Sequence, residues 1–271
     1  MLSLEYRWNK LKCLIRVRVS ECCNFLFNPV VRKQLDDYKS IPIIIISFNR
    51  LHYLKRLVEV LFQKGYKNIV ILDNASSFPP LLDYLNDIAD KVTVHRLKNN
   101  EGHLTYWKNR KIYRMYSQGY YVVTDPDVIP VENCPDDFLK TFIELLHLAY
   151  DRTKVGFSLK IDDLKDENPN KERILKWESR FWKSKMHPKA YKAEIDTTFA
   201  LYRPGYDYKL KHFTKAWRTD FPLQAQHGGW YLSDALSLEQ EFYSKTANQS
   251  ASWITNSKGE LTNKVHKSLY E

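Results

Sequence analysis

From Pro42 onward the chain alternates short apolar runs with amphipathic stretches. Pro42-Ile43-Ile44-Ile45-Ile46 is a continuous β-branched run of strand length, apolar on both faces, as a strand buried in a parallel sheet requires. The polar turn Ser47-Phe48-Asn49-Arg50 follows. Leu51, Leu54, Leu57, Val58 and Leu61 then recur at helical spacing until Gly65 stops the helix. Asn68-Ile69-Val70-Ile71-Leu72 is a second buried strand, and it ends in Asp73-Asn74-Ala75-Ser76-Ser77. The same reading predicts a short helix at 81–88, a strand at 92–97, a helix over 104–117 and a strand at 120–124. Strands alternating with helices in this way make an open α/β sheet, with ligands at the carboxyl ends of the strands. Those ends are Ser47 to Arg50, Asp73 to Ser76, Asn99 to His103 and Asp125 to Asp127, and all four are polar.

After Asp127 the rhythm changes. A helix is predicted at 136–150, a strand at 155–159, a polar basic stretch as far as Lys192, and a strand at 197–202. Residues 247–271 show no clear period, and no internal repeat is present. Ahead of the first strand, Leu4, Trp8, Leu11, Ile15 and Val19 recur at helical spacing with Arg7, Lys10, Lys12, Arg16 and Arg18 between them. That pattern reads equally as a helix lying on an anionic membrane and as a helix packed on the domain's own surface. The chain thus divides into a basic amphipathic extension (1–39), a main domain (40–245) and a C-terminal tail (246–271).

Composition narrows the class. At 271 residues, 44% hydrophobic and 14% aromatic, the chain suits a globular protein rather than a disordered one, and its length is ample for one large core. No apolar run approaches the roughly 18 residues of a spanning helix. The formal charge of +10 calls for an anionic partner. The excess sits in two places: residues 1–39 hold 8 basic and 4 acidic side chains, and 151–218 hold 17 and 10. Cys13, Cys22, Cys23 and Cys134 show no metal-type spacing and no disulfide framework, which fits a reducing cytoplasm. The charges near the start argue against a cleavable signal.

Thr124-Asp125-Pro126-Asp127 is the sharpest chemical signal. Two carboxylates two apart at the end of an apolar strand project to one side and can hold a hard divalent cation against a phosphate; the same four residues also suit a β-turn capped by aspartates. Taken together, the first strand and its helix, the second strand ending in Asp73, and Asp125 and Asp127 on a fourth strand resemble the nucleotide-sugar glycosyltransferases of the GT-A fold, especially family-2-like bacterial and viral members. The resemblance covers about residues 40–245. It implies a mostly parallel, Rossmann-like α/β sheet flanked by helices. It also implies a single-addition hexosyltransferase that moves a sugar from a nucleoside-diphosphate donor to a glycan or lipid-linked acceptor in cell-surface polysaccharide synthesis. The Q-x-x-R-W motif of processive polymerases is absent.

The same resemblance assigns nucleotide contacts to Ser47, Asn49, Arg50, Asp73 and Asp125. It extends them to Asn100 and Gly102, which also read as an ordinary turn. Asp127, with Asp125, ligates Mn²⁺ or Mg²⁺. His227 is the candidate third ligand, and its nitrogen slightly favours Mn²⁺; it also reads as a plain loop residue. For the base that takes the acceptor proton, Asp196 is the first candidate, with Asp220 and Glu194 as alternatives. Trp230, Tyr231 and Trp182 are candidate sugar-contacting rings. Lys171, Arg173, Lys176, Arg180 and Lys183 interleave with Trp177 and Phe181, either to close over a diphosphate or simply as a helix with one buried face. The expected location is the cytoplasm, at the inner membrane surface if residues 1–39 dock there. Two other readings compete. A sugar-nucleotide nucleotidyltransferase is disfavoured by the glycine-free turn after the first strand, and a basic nucleic-acid-binding module by the absence of any nucleic-acid motif.

Overall fold

The structure is a computed structural model, and it describes residues 4–231 and 237–247. The tail expected over 246–271 lies almost wholly outside the described residues.

The chain opens with α1 (Leu4–Phe27) and α2 (Pro29–Asp36). Asn28 separates them because its carboxamide oxygen accepts from Val30 N at 3.0 Å and Val31 N at 3.2 Å, with Pro29 in the first helical turn where its missing N–H costs nothing. Next come β1 (Ile43–Ser47), α3 (His52–Gln63), β2 (Ile69–Asp73), α4 (Pro79–Asp87) and β3 (Thr93–Arg96). The single helix expected over 104–117 is two: α5 (Thr105–Lys108) and α6 (Arg110–Tyr116). Asn109 breaks them, closing α5 with its own N–H and capping α6 by accepting from Ile112 N at 3.2 Å. β4 (Tyr121–Thr124), β5 (Val128–Pro130) and α7 (Phe138–Leu148) follow.

The strand expected at 155–159 also divides, into β6 (Lys154–Gly156) and β7 (Ser158–Leu159), which belong to different sheets. The chain crosses between them at Phe157, whose ring packs on Phe138, Phe142 and Phe199. The basic stretch folds as α8 (Lys171–Ser179), one 3₁₀ turn, β8 (Lys185–His187) and β9 (Ala190–Glu194). β10 (Ala200–Tyr202), β11 (Lys215–Thr219), β12 (Gln224–His227) and α9 (Ser237–Thr246) complete the described chain.

Nine strands form the main sheet in the order β3-β2-β1-β4-β10-β6-β11-β9-β8, and β5-β12-β7 form a small one. From the pairings, all the main-sheet strands but β10 and β9 run in one direction, so the sheet is mostly parallel as expected. The isoleucine run explains why β1 is central. Ile43 and Ile45 enter the core shared with α3, α4 and α7, while Ile44 and Ile46 enter the one shared with α5 and α6. All four are buried, and each contributes about 2 kcal/mol by leaving water. Helices therefore cover both faces, and the sheet's carboxyl edge is left to the loops.

Candidate active site

The carboxyl ends of β1 and β2 lie side by side, with Ser47 paired in register to Asp73. Both residues are fully buried. Asp73 accepts from Ser76 N through Oδ1 at 3.3 Å, and its Oδ2 lies 3.5 Å from Arg96 Nε without forming a hydrogen bond. Ser47 Oγ also makes no hydrogen bond. Buried polar atoms left in this state are costly, so two of them at adjacent strand ends point to groups that a ligand completes.

Asn49 has its side chain engaged within the protein. Its φ is +49°, a backbone conformation that asparagine tolerates better than most residues. Its carboxamide oxygen accepts from Ser77 N and Phe78 N at 2.8 and 3.0 Å, and its nitrogen donates to Thr246 Oγ1 at 2.9 Å. Asn49 therefore ties β1 to the start of α4. Asn74 plays the same part for the next loop: it donates to Asn100 Oδ1 at 2.8 Å and accepts from Glu101 N at 2.9 Å. Asn100 in turn accepts from Gly102 N at 2.9 Å, and Gly102 sits at φ +80°, where glycine is unstrained. The Asn100–Gly102 turn is thus held beside β2.

Asp125 and Asp127 stand at the end of β4, one strand from Ser47. Removal from water, and then the negative charge of Asp127, push the Asp125 carboxyl up to about 8, although Thr197 Oγ1 donates to its Oδ2 at 2.6 Å. Asp127 is buried, and its Oδ2 lies 3.8 Å from His227 Nδ1. The small sheet makes this approach: His227 pairs with Val128, and Gly228 N donates to Asp127 O at 2.6 Å. Gly228 is required there, because a Cβ would fall 2.4 Å from the Tyr53 ring. Trp230 stacks on His227 with ring centroids 4.9 Å apart, and Tyr231 donates to Asp163 at 2.6 Å.

The loop entering β10 faces this pair, because β10 runs antiparallel beside β4. Asp196 is exposed there, while its carbonyl accepts from Lys154 Nζ at 2.6 Å. Lys154 is buried, donates also to Tyr202 Oη at 2.9 Å, and lies 3.8 Å from the centre of the Phe213 ring. Burial pulls it down to about 7 despite the nearby negative charge of Asp196. Sequence reasoning missed Lys154, since a lysine opening a short strand gives no sign that residues 40 to 60 positions away will bury it.

Sequence reasoning also missed α9. Its Glu239 carboxylate accepts from Leu51 N and His52 N at 3.0 and 2.9 Å, at the amino end of α3. Tyr243 lies over the Arg50 guanidinium at 3.9 Å, and Phe242 packs on Phe78. Arg50, buried and electrostatically linked to both Asp127 and Glu239, joins α9 to the carboxylate site.

Other candidates are not brought here. Asp220 ends β11, three strands from β4, and is held by Lys185 at 2.8 Å and by Tyr191. Glu194 is exposed and accepts from Thr214 Oγ1. Trp182 packs on Tyr191 at the same far edge, and Trp177 lies against Phe181 and Arg180. Buried Glu178 of α8 pairs with Arg218 at 2.7 Å, so the basic stretch is built into that edge as a folded element.

Among the described residues no three acidic, histidine or cysteine side chains converge as a closed metal site. The donor set nevertheless suits a hard cation: two carboxylates, one driven toward its protonated form first by burial and then by the other, with an imidazole beside the second. No protein-family model and no curated protein sequence matches the chain. Among solved structures, the mannosyltransferase PcManGT from Pyrobaculum calidifontis in complex with GDP-Man and Mn²⁺ is 11% identical, with a TM-score of 0.47 over 79% of this chain and 62% of that one. TarS from S. aureus is 14% identical, with a TM-score of 0.47 over 77% of this chain and 40% of that one. This chain spans 40 to 62% of their lengths. Such scores describe a general likeness in chain course, and the functional reading rests on this chain's own strand ends.

Proposed function

We propose that the chain is a glycosyltransferase that binds a nucleoside-diphosphate sugar across the ends of β1, β2 and β4 and transfers one sugar to a glycan or lipid-linked acceptor. The supporting observation is buried Asp127 with half-buried Asp125 beside it, set one strand from the uncompleted polar atoms of Ser47 and Asp73. In this reading Asp73 Oδ2 accepts from the nucleoside and Ser47 Oγ donates to it. Arg50 faces the diphosphate from the end of β1. Asp127, with Asp125 and His227, would hold Mn²⁺ or Mg²⁺, which supplies positive charge to the leaving diphosphate. Asp196, exposed at the mouth on a backbone fixed by Lys154, takes the proton of the acceptor hydroxyl as its oxygen bonds to the anomeric carbon and the nucleoside diphosphate departs.

Asp127→Ala tests this reading. Sugar transfer and donor hydrolysis should fall by about a hundredfold or more while the circular-dichroism spectrum is unchanged. Full activity of the variant with EDTA present would overturn the metal assignment.

A further inference from the structure

α1 is attached to the protein by one side only. Cys13 Sγ contacts Tyr150 O at 4.0 Å, Glu21 pairs with Arg203 at 2.8 Å, and Leu14, Val17 and Asn24 are half-buried on that side. The opposite side of a surface helix is normally polar. Here it holds Trp8, Leu11, Ile15, Val19 and Leu26, each 44 to 57% exposed. At 3.6 residues per turn these five fall within an arc of about 80° and extend along roughly 27 Å of helix. Arg7 and Arg18 border the stripe on one side, Lys12 and Arg16 on the other, and all four are exposed. Arg18 shares its charge with Glu21 at 2.8 Å, and Glu5 falls on the Lys12 side of the stripe two turns earlier, so the outward face remains positive overall. At its Leu26 end the stripe continues into a largely apolar cleft of 330 Å³ between α1, α2 and α7, lined in part by Phe25, Val31 and Leu35.

We propose that this outward face is a docking surface for an anionic lipid bilayer, with the axis of α1 lying in the headgroup plane. An apolar stripe between two basic rims matches the depth profile of such an interface, where acyl chains lie beneath negative headgroups. Spanning is not its mode, since no helix among the described residues is long and apolar enough to cross a membrane. A second copy fits less well: pairing two identical stripes about a two-fold axis sets basic rims against basic rims.

The test is cosedimentation of the full chain with unilamellar vesicles of phosphatidylcholine alone or mixed with phosphatidylglycerol. The chain should pellet with the mixed vesicles and stay in solution with the neutral ones, and high salt should release it. Ile15→Asp combined with Val19→Asp should weaken partitioning at least about tenfold, while Met186→Asp, at an exposed side chain on the far edge strand β8, should leave it unchanged. These positions are exposed, so the variants should retain the native melting temperature. Equal pelleting with neutral vesicles, or wild-type pelleting of the stripe variant, would overturn the proposal. So would a lipid-free dimer, seen by light scattering, that the stripe variant abolishes.

Discussion

Asp125 and Lys154 sit in one buried neighbourhood and are displaced in opposite senses, the acid up to about 8 and the base down to about 7. For Lys154 the consequence is thermodynamic. Its folded value lies below the ordinary 10.5, so between the two the unfolded chain holds the extra proton and stability rises with pH. Lys154→Met should flatten that rise over about pH 8 to 9, above the Asp125 value, whose raised position opposes the rise at lower pH, and below the range where tyrosines ionise, as read from urea midpoints. Asp196→Asn should keep donor binding by calorimetry and lose turnover; unchanged turnover would reassign the base. The aspartate pair was legible because two carboxylates end an apolar strand. The task of Asn49 was not, since its partners Ser77, Phe78 and Thr246 are fixed only by folding.

At the scale of elements, the first half could be read because β1, β2 and β4 are buried on both faces and are apolar up to the polar residue that ends each of them. The second half could be read only in part: the helix expected at 136–150 is α7 and the strand expected at 197–202 contains β10, but β8, β9, β11 and β12 were not foreseen. β11 includes Arg218, whose burial is made tolerable by Glu178 from α8, and β12 reads Gln-Ala-Gln-His, with no apolar period. Short strands neutralised by distant partners leave no local trace. α9 was hidden for a related reason: its attachment depends on Glu239 and Tyr243 more than on an apolar face, and Leu238 is 77% exposed. Glu239→Ala should remove the carboxylate from the amino end of α3 and cost about 1 kcal/mol in denaturant unfolding. An unchanged midpoint would show that backbone and water replace it.

At the scale of the molecule, the N-terminal extension divides into two parts. α2 belongs to the core: Val31 is buried, and Gln34 exchanges two hydrogen bonds with Tyr120 at 2.8 and 2.7 Å. α1 adds mainly exposed surface and one partly exposed ion pair. Removing residues 1–27 should therefore leave the calorimetric melting temperature near that of the full chain. Removing 1–39 should cost about 3 kcal/mol or more through the lost burial and hydrogen bonds.

The contacts of the extension also fix which way the molecule faces. Asn28 donates to Gln118 O, Gln34 holds Tyr120, and Glu21 meets Arg203 beyond the end of β10, so α1 and α2 lie at the amino ends of the parallel strands. The carboxylates lie at the opposite ends, a strand length of roughly 15 Å away. A chain resting on a bilayer through α1 would thus hold its carboxylates up and outward, like a crane standing on a quay. Under the proposed function, the acceptor ends within its reach would be those already grown clear of the lipid, or arriving from solution, with headgroups still seated in the bilayer beneath it.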